Sequence, residues 1–319
     1  MKDKETLKIQ DINKRSAKMR QVYDMILNLA PTDATVLIQG EEGTEKALVA
    51  RSIHLNSHRK NRPFDVYNCS AYPQFLVESG LFGHEVGAFE GALCQKKGCL
   101  EETDGGTVVL TEIDKISPMT QIRLHKFLQD RECKRVGGSE SVKTDVRIIA
   151  AVNTDLGREV ERGTFNEELF YMLNVINIHL PSLRQRKDDI PLLVDYFMER
   201  LNMEINKNVK RTTSDTMQLL MDYSWPGNVK ELENTIQHAY LLTKGEVVER
   251  DSLPSRILNE VLTEQDEGVT SFEENEKRFL MKTLQECNWN KLQLAKRLNV
   301  SRSTLYAKFK KYKLTTKSS

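Results

Sequence analysis

Ala34-Thr-Val-Leu-Ile-Gln39, then Gly40-Glu-Glu-Gly-Thr-Glu-Lys46, then Ala47 to Asn56, is the stretch on which the fold turns. The first piece is a short apolar run and reads as a buried strand. The second carries two glycines and reads as a tight turn. The third has helical spacing. Strand, Gly-rich turn, Lys and helix is the context of a phosphate-binding loop, in which backbone amides at the helix start face an anion and the lysine reaches its outer oxygens. Gly40, Gly43, Thr44 and Lys46 are the candidate nucleotide contacts. The pattern has two gaps: Glu45 stands where its last glycine belongs, and Ala47 where a hydroxyl follows the lysine.

Working outward, Gly105-Gly-Thr-Val-Val-Leu-Thr-Glu-Ile113 reads as a second buried strand ending at an acid. Val146-Arg-Ile-Ile-Ala-Ala-Val-Asn153 reads as a third, ending at a polar Asn. Buried strands alternating with helical segments predict a parallel sheet covered by helices, an α/β fold. After Pro181 the strands stop. Helical stretches at Ile190–Ile205, Ser214–Tyr223 and Asn228–Leu242 predict a small all-helical lid, with Trp225 packed inside it rather than binding a ligand.

The 319 residues, 39% hydrophobic and 29% charged, form an ordinary composition with enough apolar residues for a large core and roughly two domains. No apolar run is long enough to span a membrane, and Met1 to Thr6 is polar, unlike a signal peptide. Five cysteines without a CxxC pair argue against a disulfide framework or a metal site and fit a reducing cytoplasm. Cys94 and Cys99 read as free thiols on or near a loop.

The net charge of +1 conceals an asymmetry. Ser271–Ser319 holds twelve basic and four acidic residues, a net of +8, which leaves −7 for residues 1–270. Thr263–Thr270, polar and bearing Gly268, reads as the linker between the two parts. Beyond it, Ser271 with Glu274 forms a capping box, Asn290 caps a second helix, and Ser301 caps a third over Arg302–Tyr312 with Leu305, Phe309 and Tyr312 on its buried side. The turn Asn299-Val-Ser301 is short enough for a helix-turn-helix. Arg302, Ser303, Thr304, Tyr306 and Ala307 would meet base edges, and Lys308, Lys310, Lys311 and Lys313 would lie against phosphates. Asn290 to Leu314 closely resembles the Fis-type helix-turn-helix of bacterial regulators, whose first helix pairs two subunits on an inverted repeat.

The whole chain from about Met19 to Leu314 resembles the bacterial enhancer-binding proteins, the AAA+ activators of sigma-54 RNA polymerase. The matching stretches include Glu78-Ser-Gly-Leu-Phe-Gly-His-Glu85, Gly87-Ala-Phe-Glu-Gly-Ala92, Arg135-Val-Gly-Gly138, Leu180-Pro-Ser-Leu-Arg184 and Trp225-Pro-Gly-Asn-Val229. The resemblance implies an AAA+ parallel-sheet subdomain over residues 1–183, a helical lid over 184–262, the linker 263–270 and an all-α helix-turn-helix over 271–319. It implies that Glu112 polarises the attacking water, that Asn153 and Lys230 sense nucleotide, and that Gly87, Ala88, Phe89, Gly91 and Ala92 belong to the loop that touches sigma-54. Asn68 would couple Glu112 to that loop or serve as an ordinary loop Asn. His84 would be structural.

Against that family pattern the chain departs at each chemical part. Glu45 replaces the glycine that lets the backbone approach phosphate, adding bulk and like charge. Thr111 replaces the Asp that holds magnesium, and a hydroxyl is a weak partner for that ion. Asn166 and Met172 stand where the family presents two arginines to the neighbouring subunit's nucleotide, a contribution on the order of 10³–10⁵ in rate. Glu90 replaces the Thr of the sigma-contact loop, and Lys230 the sensing Arg, losing the planar fork.

These losses point to a DNA-binding regulator whose AAA+ domain is deficient in ATP hydrolysis and in sigma-54 contact, acting through oligomerisation or ligand sensing. Two alternatives stand beside it: an active sigma-54-dependent ATPase, and a regulator responsive to a signalling nucleotide such as a cyclic dinucleotide, with Arg184, Arg186 and Lys187 as an anion site. The expected ligands are ATP or ADP, bound weakly or without hydrolysis, or the signalling nucleotide, with magnesium in question. The expected partners are double-stranded DNA, RNA polymerase and the chain itself, as a dimer or a hexamer.

Overall fold

Val36, Leu37 and Ile38 are wholly buried, yet they serve two different cores. Leu37 joins one cluster with Leu110, Ile148, Phe127 and Leu169. Val36 and Ile38 join another with Val22, Ile26, Ile53 and Ile149. Alternate residues of a strand face opposite sides of a sheet, so a strand buried on both faces has no polar alternation. This is why the central strands read as continuous apolar runs, and each fully buried aliphatic side chain stabilises the fold by about 1.5–3 kcal/mol.

The computed structural model describes residues 16–205, 207–258, 276, 279–281, 283, 284, 287, 290–298 and 300–312. The sheet has five strands, β1 (Val36–Gln39), β2 (Phe64–Asn68), β3 (Thr107–Thr111), β4 (Arg147–Val152) and β5 (Ile176–His179). All pairings are parallel, in the order β2-β3-β4-β1-β5. On one face lie α1 (Ala17–Leu29) and α2 (Lys46–Leu55); on the other lie α3 (Gln74–Phe82), α4 (Pro118–Asp130) and α5 (Glu167–Leu173). Arg147, almost fully buried at the start of β4, donates to the carbonyls of Ala30 and Leu29 (2.9 and 3.0 Å). A cation thus closes the C-terminal end of α1, where the helix dipole is negative.

The lid consists of α6 (Ile190–Ile205), α7 (Ser214–Asp222) and α8 (Asn228–Leu242). Trp225 is wholly buried there, its indole N–H donating to Leu220 O (2.7 Å). Two expectations need correction. Strands do not end at Pro181, since Arg211–Thr212 and Val247–Val248 form a short parallel pair inside the lid. The sheet also has two edge strands, β2 and β5, that periodicity did not mark; their residues are mostly half-buried or exposed, so neither the alternating nor the continuous pattern is clean.

Residues 1–258 and 259–319 form two compact units. Within the second, α9 (Lys291–Arg297) and α10 (Arg302–Lys311) are described. Asn290 Oδ1 accepts from Gln293 N (3.2 Å) and Ser301 Oγ from Thr304 N (3.1 Å), so both expected N-caps form. Leu280, Leu284, Leu294, Leu305, Phe309 and Tyr312 make its core. The linker at 263–270, the capping box of Ser271 with Glu274, and Lys313 lie outside the described residues.

Candidate functional site

The phosphate loop connects β1 to α2 at the carboxyl ends of the strands, where open α/β sheets place ligands. Its glycines have different duties. Gly43 has φ +75°, and a Cβ there would lie 2.2 Å from Gly227 O, so only glycine lets the lid's turn approach this closely. Glu45 has φ +72° and caps α2 without a side-chain hydrogen bond. This is the left-handed region, which costs a non-glycine residue roughly 1–2 kcal/mol.

The loop's polar groups turn back on the protein. Lys46 Nζ donates to Gly40 O and Glu41 O (2.8 Å each), and Thr44 Oγ1 to Glu41 O (2.7 Å). Burial pulls the Lys46 ammonium below its ordinary range, with Glu112 acting the other way. The lid completes the enclosure. Arg184 pairs with Glu41 (2.8 Å for Nη1), and Asn228 Nδ2 donates to Glu42 O (2.8 Å). The Arg184 bond holds the Glu41 carboxyl below the usual carboxylate range. Lys230 donates its backbone N–H to Gly43 O (3.3 Å), while its ammonium is bound to Glu233 on its own helix (2.7 Å). Ala47 is exposed.

Around this loop, the residues expected to be degenerate make contacts within the protein. Thr111 Oγ1 donates to Tyr67 O on the neighbouring strand (3.4 Å). Asn166 is the N-cap of α5, its Oδ1 accepting from Leu169 N (2.7 Å). Met172 packs against the larger sheet core. Glu112 is held at φ +54° just past β3. Strain of that kind in an acid at a strand terminus accompanies function more often than it does ordinary loops. Asn68, the last residue of β2, accepts at Oδ1 from Ser70 N and Oγ (2.8 and 3.0 Å). Among the described residues no group of three or more His, Cys, Asp or Glu is arranged to hold a metal.

Beside the loop lies a cleft of about 760 Å³, lined by Gly40, Glu41, Asn153, Asn177 and Gln185 among others. Asn153 therefore faces a space of ligand size. The three residues expected to form an anion site do not converge. Arg184 is occupied by Glu41, Arg186 is buried beside Asp189 (3.7 Å), and Lys187 is exposed.

The loop at 87–92 is closed by Gly87 N to Ala92 O (2.8 Å), with Gly87 and Gly91 at positive φ. Phe89 packs edge-on against His84 (5.0 Å between centroids) and faces Phe75 (6.0 Å). His84 is buried, its Nδ1 bonded to Ser79 Oγ (2.7 Å), a structural role as expected. Ala92 is buried and Glu90 exposed. Ala88 sits against Gly137, where a Cβ would lie 2.8 Å from its own. Cys94 is exposed, but Cys99 is buried at the start of a short helix, not on a loop.

On α10, Ser303, Thr304, Tyr306, Lys310 and Lys311 are exposed. Lys308 differs from the expectation of a free phosphate contact: its ammonium is paired with Glu276, which also accepts from the Tyr312 hydroxyl. Sequence spacing missed Glu276 because it lies 32 residues from Lys308.

Comparison with known proteins agrees with this anatomy. The sigma-54 interaction domain matches residues 12–179, the AAA+ ATPase lid domain residues 184–270, and the Fis-family bacterial regulatory protein residues 271–312. The transcriptional regulatory protein ZraR of Salmonella typhimurium is 45% identical over 294 residues, covering 92% of this chain and 67% of that protein. The nitrogen fixation protein AnfA of Azotobacter vinelandii is 42% identical over 318 residues, covering 99% and 60%. Crystal structures of NtrX from Brucella abortus superpose with a TM-score of 0.73 at 33% identity, over 94% of this chain and 68% of that one, and NtrX has been solved with ADP and with ATP. No helix among the described residues is long and apolar enough to cross a membrane. With a family domain spanning more than half its length and relatives above 40% identity across nearly all of it, the chain belongs to the sigma-54 interaction domain family of bacterial transcriptional regulators.

Proposed function

We propose that the chain is a DNA-binding bacterial transcription regulator whose AAA+ domain does not turn over ATP at a productive rate. The observation that carries this is the reassignment of the hydrolytic positions. Thr111 bonds to the backbone of β2, Asn166 caps α5, and half-buried Met172 packs against the core. None offers a carboxylate to magnesium or a guanidinium to a neighbouring nucleotide. Exposed Glu90 puts a negative charge on the loop the family uses against sigma-54. The basic helix-turn-helix supplies DNA affinity, and self-association supplies the two-fold that an inverted repeat requires. Steady-state phosphate release with and without operator DNA tests this. The expected result is a rate equal to that of Lys46→Ala; turnover that Lys46→Ala abolishes sinks the reading.

A second reading is an active sigma-54-dependent ATPase that remodels the closed promoter complex. It is favoured by Lys46, Glu112 and Asn153, all retained, and by the nucleotide complexes of the NtrX relative. Transcription from a sigma-54 promoter in a purified system, dependent on hydrolysable ATP, would establish it over the first.

A further inference from the structure

The large apolar side chains of α10 divide two to one. Leu305 and Phe309 are buried, whereas Tyr306 is 56% exposed. Its exposed neighbours are of another kind: Ser303, Thr304 and Ala307 are small, and Lys310 and Lys311 are long cations. Ser303, one turn before Tyr306, is too short to cover the ring. The helix expected to enter the major groove therefore offers one aromatic surface among polar and small groups.

That ring is held rather than free. Lys291, half-buried at the start of α9, places its ammonium 5.4 Å from the centre of the Tyr306 ring and 5.6 Å from that of Phe309. A cation at this distance from an aromatic face is attracted by the negative charge of the ring face. Phe309 is 6% exposed and belongs to the core of this unit with Leu294 and Leu305. One ammonium from α9 thus links the exposed ring of α10 to a buried one. An aromatic side chain has few torsions to fix, and one that is braced beforehand loses little freedom on binding.

The major groove presents hydrogen-bonding edges and one apolar group, the 5-methyl of thymine. An exposed aromatic ring matches the second. We propose that Tyr306 reads a thymine by packing its ring against the 5-methyl group, and that Lys291 is the positioning residue that holds the ring for this contact. This deepens the reading of the C-terminal unit as a DNA-binding module and rests on it.

The test uses duplexes that the full-length wild type selects from a random pool, with each thymine replaced in turn by deoxyuridine, which removes only the methyl group. The expected result is one thymine per half-site at which wild type loses about three- to tenfold in affinity. Tyr306→Phe keeps that discrimination and Tyr306→Ala abolishes it. Lys291→Ala loses most of it, and Lys291→Arg, which restores a cation over the ring, recovers it. Binding of a random-sequence duplex, unchanged in all four variants, shows that they fold. Equal binding of thymine and deoxyuridine at every position overturns the inference, as does discrimination that survives in Tyr306→Ala, which would assign the methyl group to another residue. Loss of affinity in Tyr306→Phe overturns it too, since the hydroxyl and not the ring would make the contact. Unchanged discrimination in Lys291→Ala, or loss of its random-duplex binding, removes the positioning role. Failure of wild type to select any duplex would overturn the DNA-binding reading itself, and this inference with it.

Discussion

The phosphate loop and the exposed side of α10 are both rich in polar side chains, yet they hold them in opposite ways. Around the loop, donors and acceptors close on the protein itself: Lys46 on two carbonyls, Lys230 on Glu233, Arg184 on Glu41. On α10, Ser303, Thr304, Tyr306, Lys310 and Lys311 are exposed, while the Lys308 ammonium is tied to Glu276. A surface whose donors are in water exchanges one partner for another on binding at little cost. A pocket whose donors are satisfied internally must first break those bonds, and an ion pair that loses one member leaves the other uncompensated. At the C-terminal end a polyanion would meet side chains already in water, whereas at the phosphate loop it would have to displace bonds that the protein makes to itself.

The contrast can be broken most strongly by emptying the core beneath α10. Leu305 is 1% exposed, and Leu305→Ala is expected to cost about 2–5 kcal/mol. Operator binding should vanish in a mobility-shift titration while the melting transition of residues 1–258 stays in place. Loss of both would show that the two units do not fold separately.

Next in size is the test of which lysines serve DNA. Lys310→Ala with Lys311→Ala should lower the slope of log affinity against log salt by about 2. Lys308→Ala should change that slope by less than one lysine's share, and should instead lower the thermal stability of the helix-turn-helix, because it breaks the pair with Glu276. A full share of slope lost with Lys308 would place it on phosphate after all.

On the loop side, Asn166→Ala removes the cap of α5 and should destabilise the first unit by about 1 kcal/mol in urea titrations, with Asn166→Asp near neutral. Destabilisation by Asp equal to that by Ala would refute the capping role.

The smallest effect is a dependence on pH. The Glu45 carboxyl is raised in the folded state, so its ionisation opposes folding: stability is greatest while it is protonated and falls as pH rises through the raised value. The melting temperature of Glu45→Gln relative to wild type should therefore increase from the ordinary carboxylate range upward and converge below it. A gap that is independent of pH would mean that the charge does not matter at this position.

Much of this was legible in the residue order. Val36–Gln39, Thr107–Thr111 and Arg147–Val152 announced themselves as apolar runs because both faces of each are covered. The caps at Asn290 and Ser301 were legible because a cap is a contact across three residues. Phe64–Asn68 and Ile176–His179 were not, because an edge strand shares its residues between core and solvent without a clean period. Glu45, Thr111, Asn166 and Met172 could be singled out from sequence, but not the contacts that their side chains make.

That division has a physical origin. Periodicity, turn residues and capping are local, so the order of residues alone specified the sheet strands at the centre, the lid helices, the helix-turn-helix and the family to which they belong. Partners are chosen when distant segments come together: Thr111 meets Tyr67 across 44 residues, Lys308 meets Glu276 across 32, and Glu41 meets Arg184 across 143. Whether a lysine is free for phosphate, or a carboxylate is paired, depends on those meetings, because the energy of a charge is set by what surrounds it and not by its neighbours in the chain.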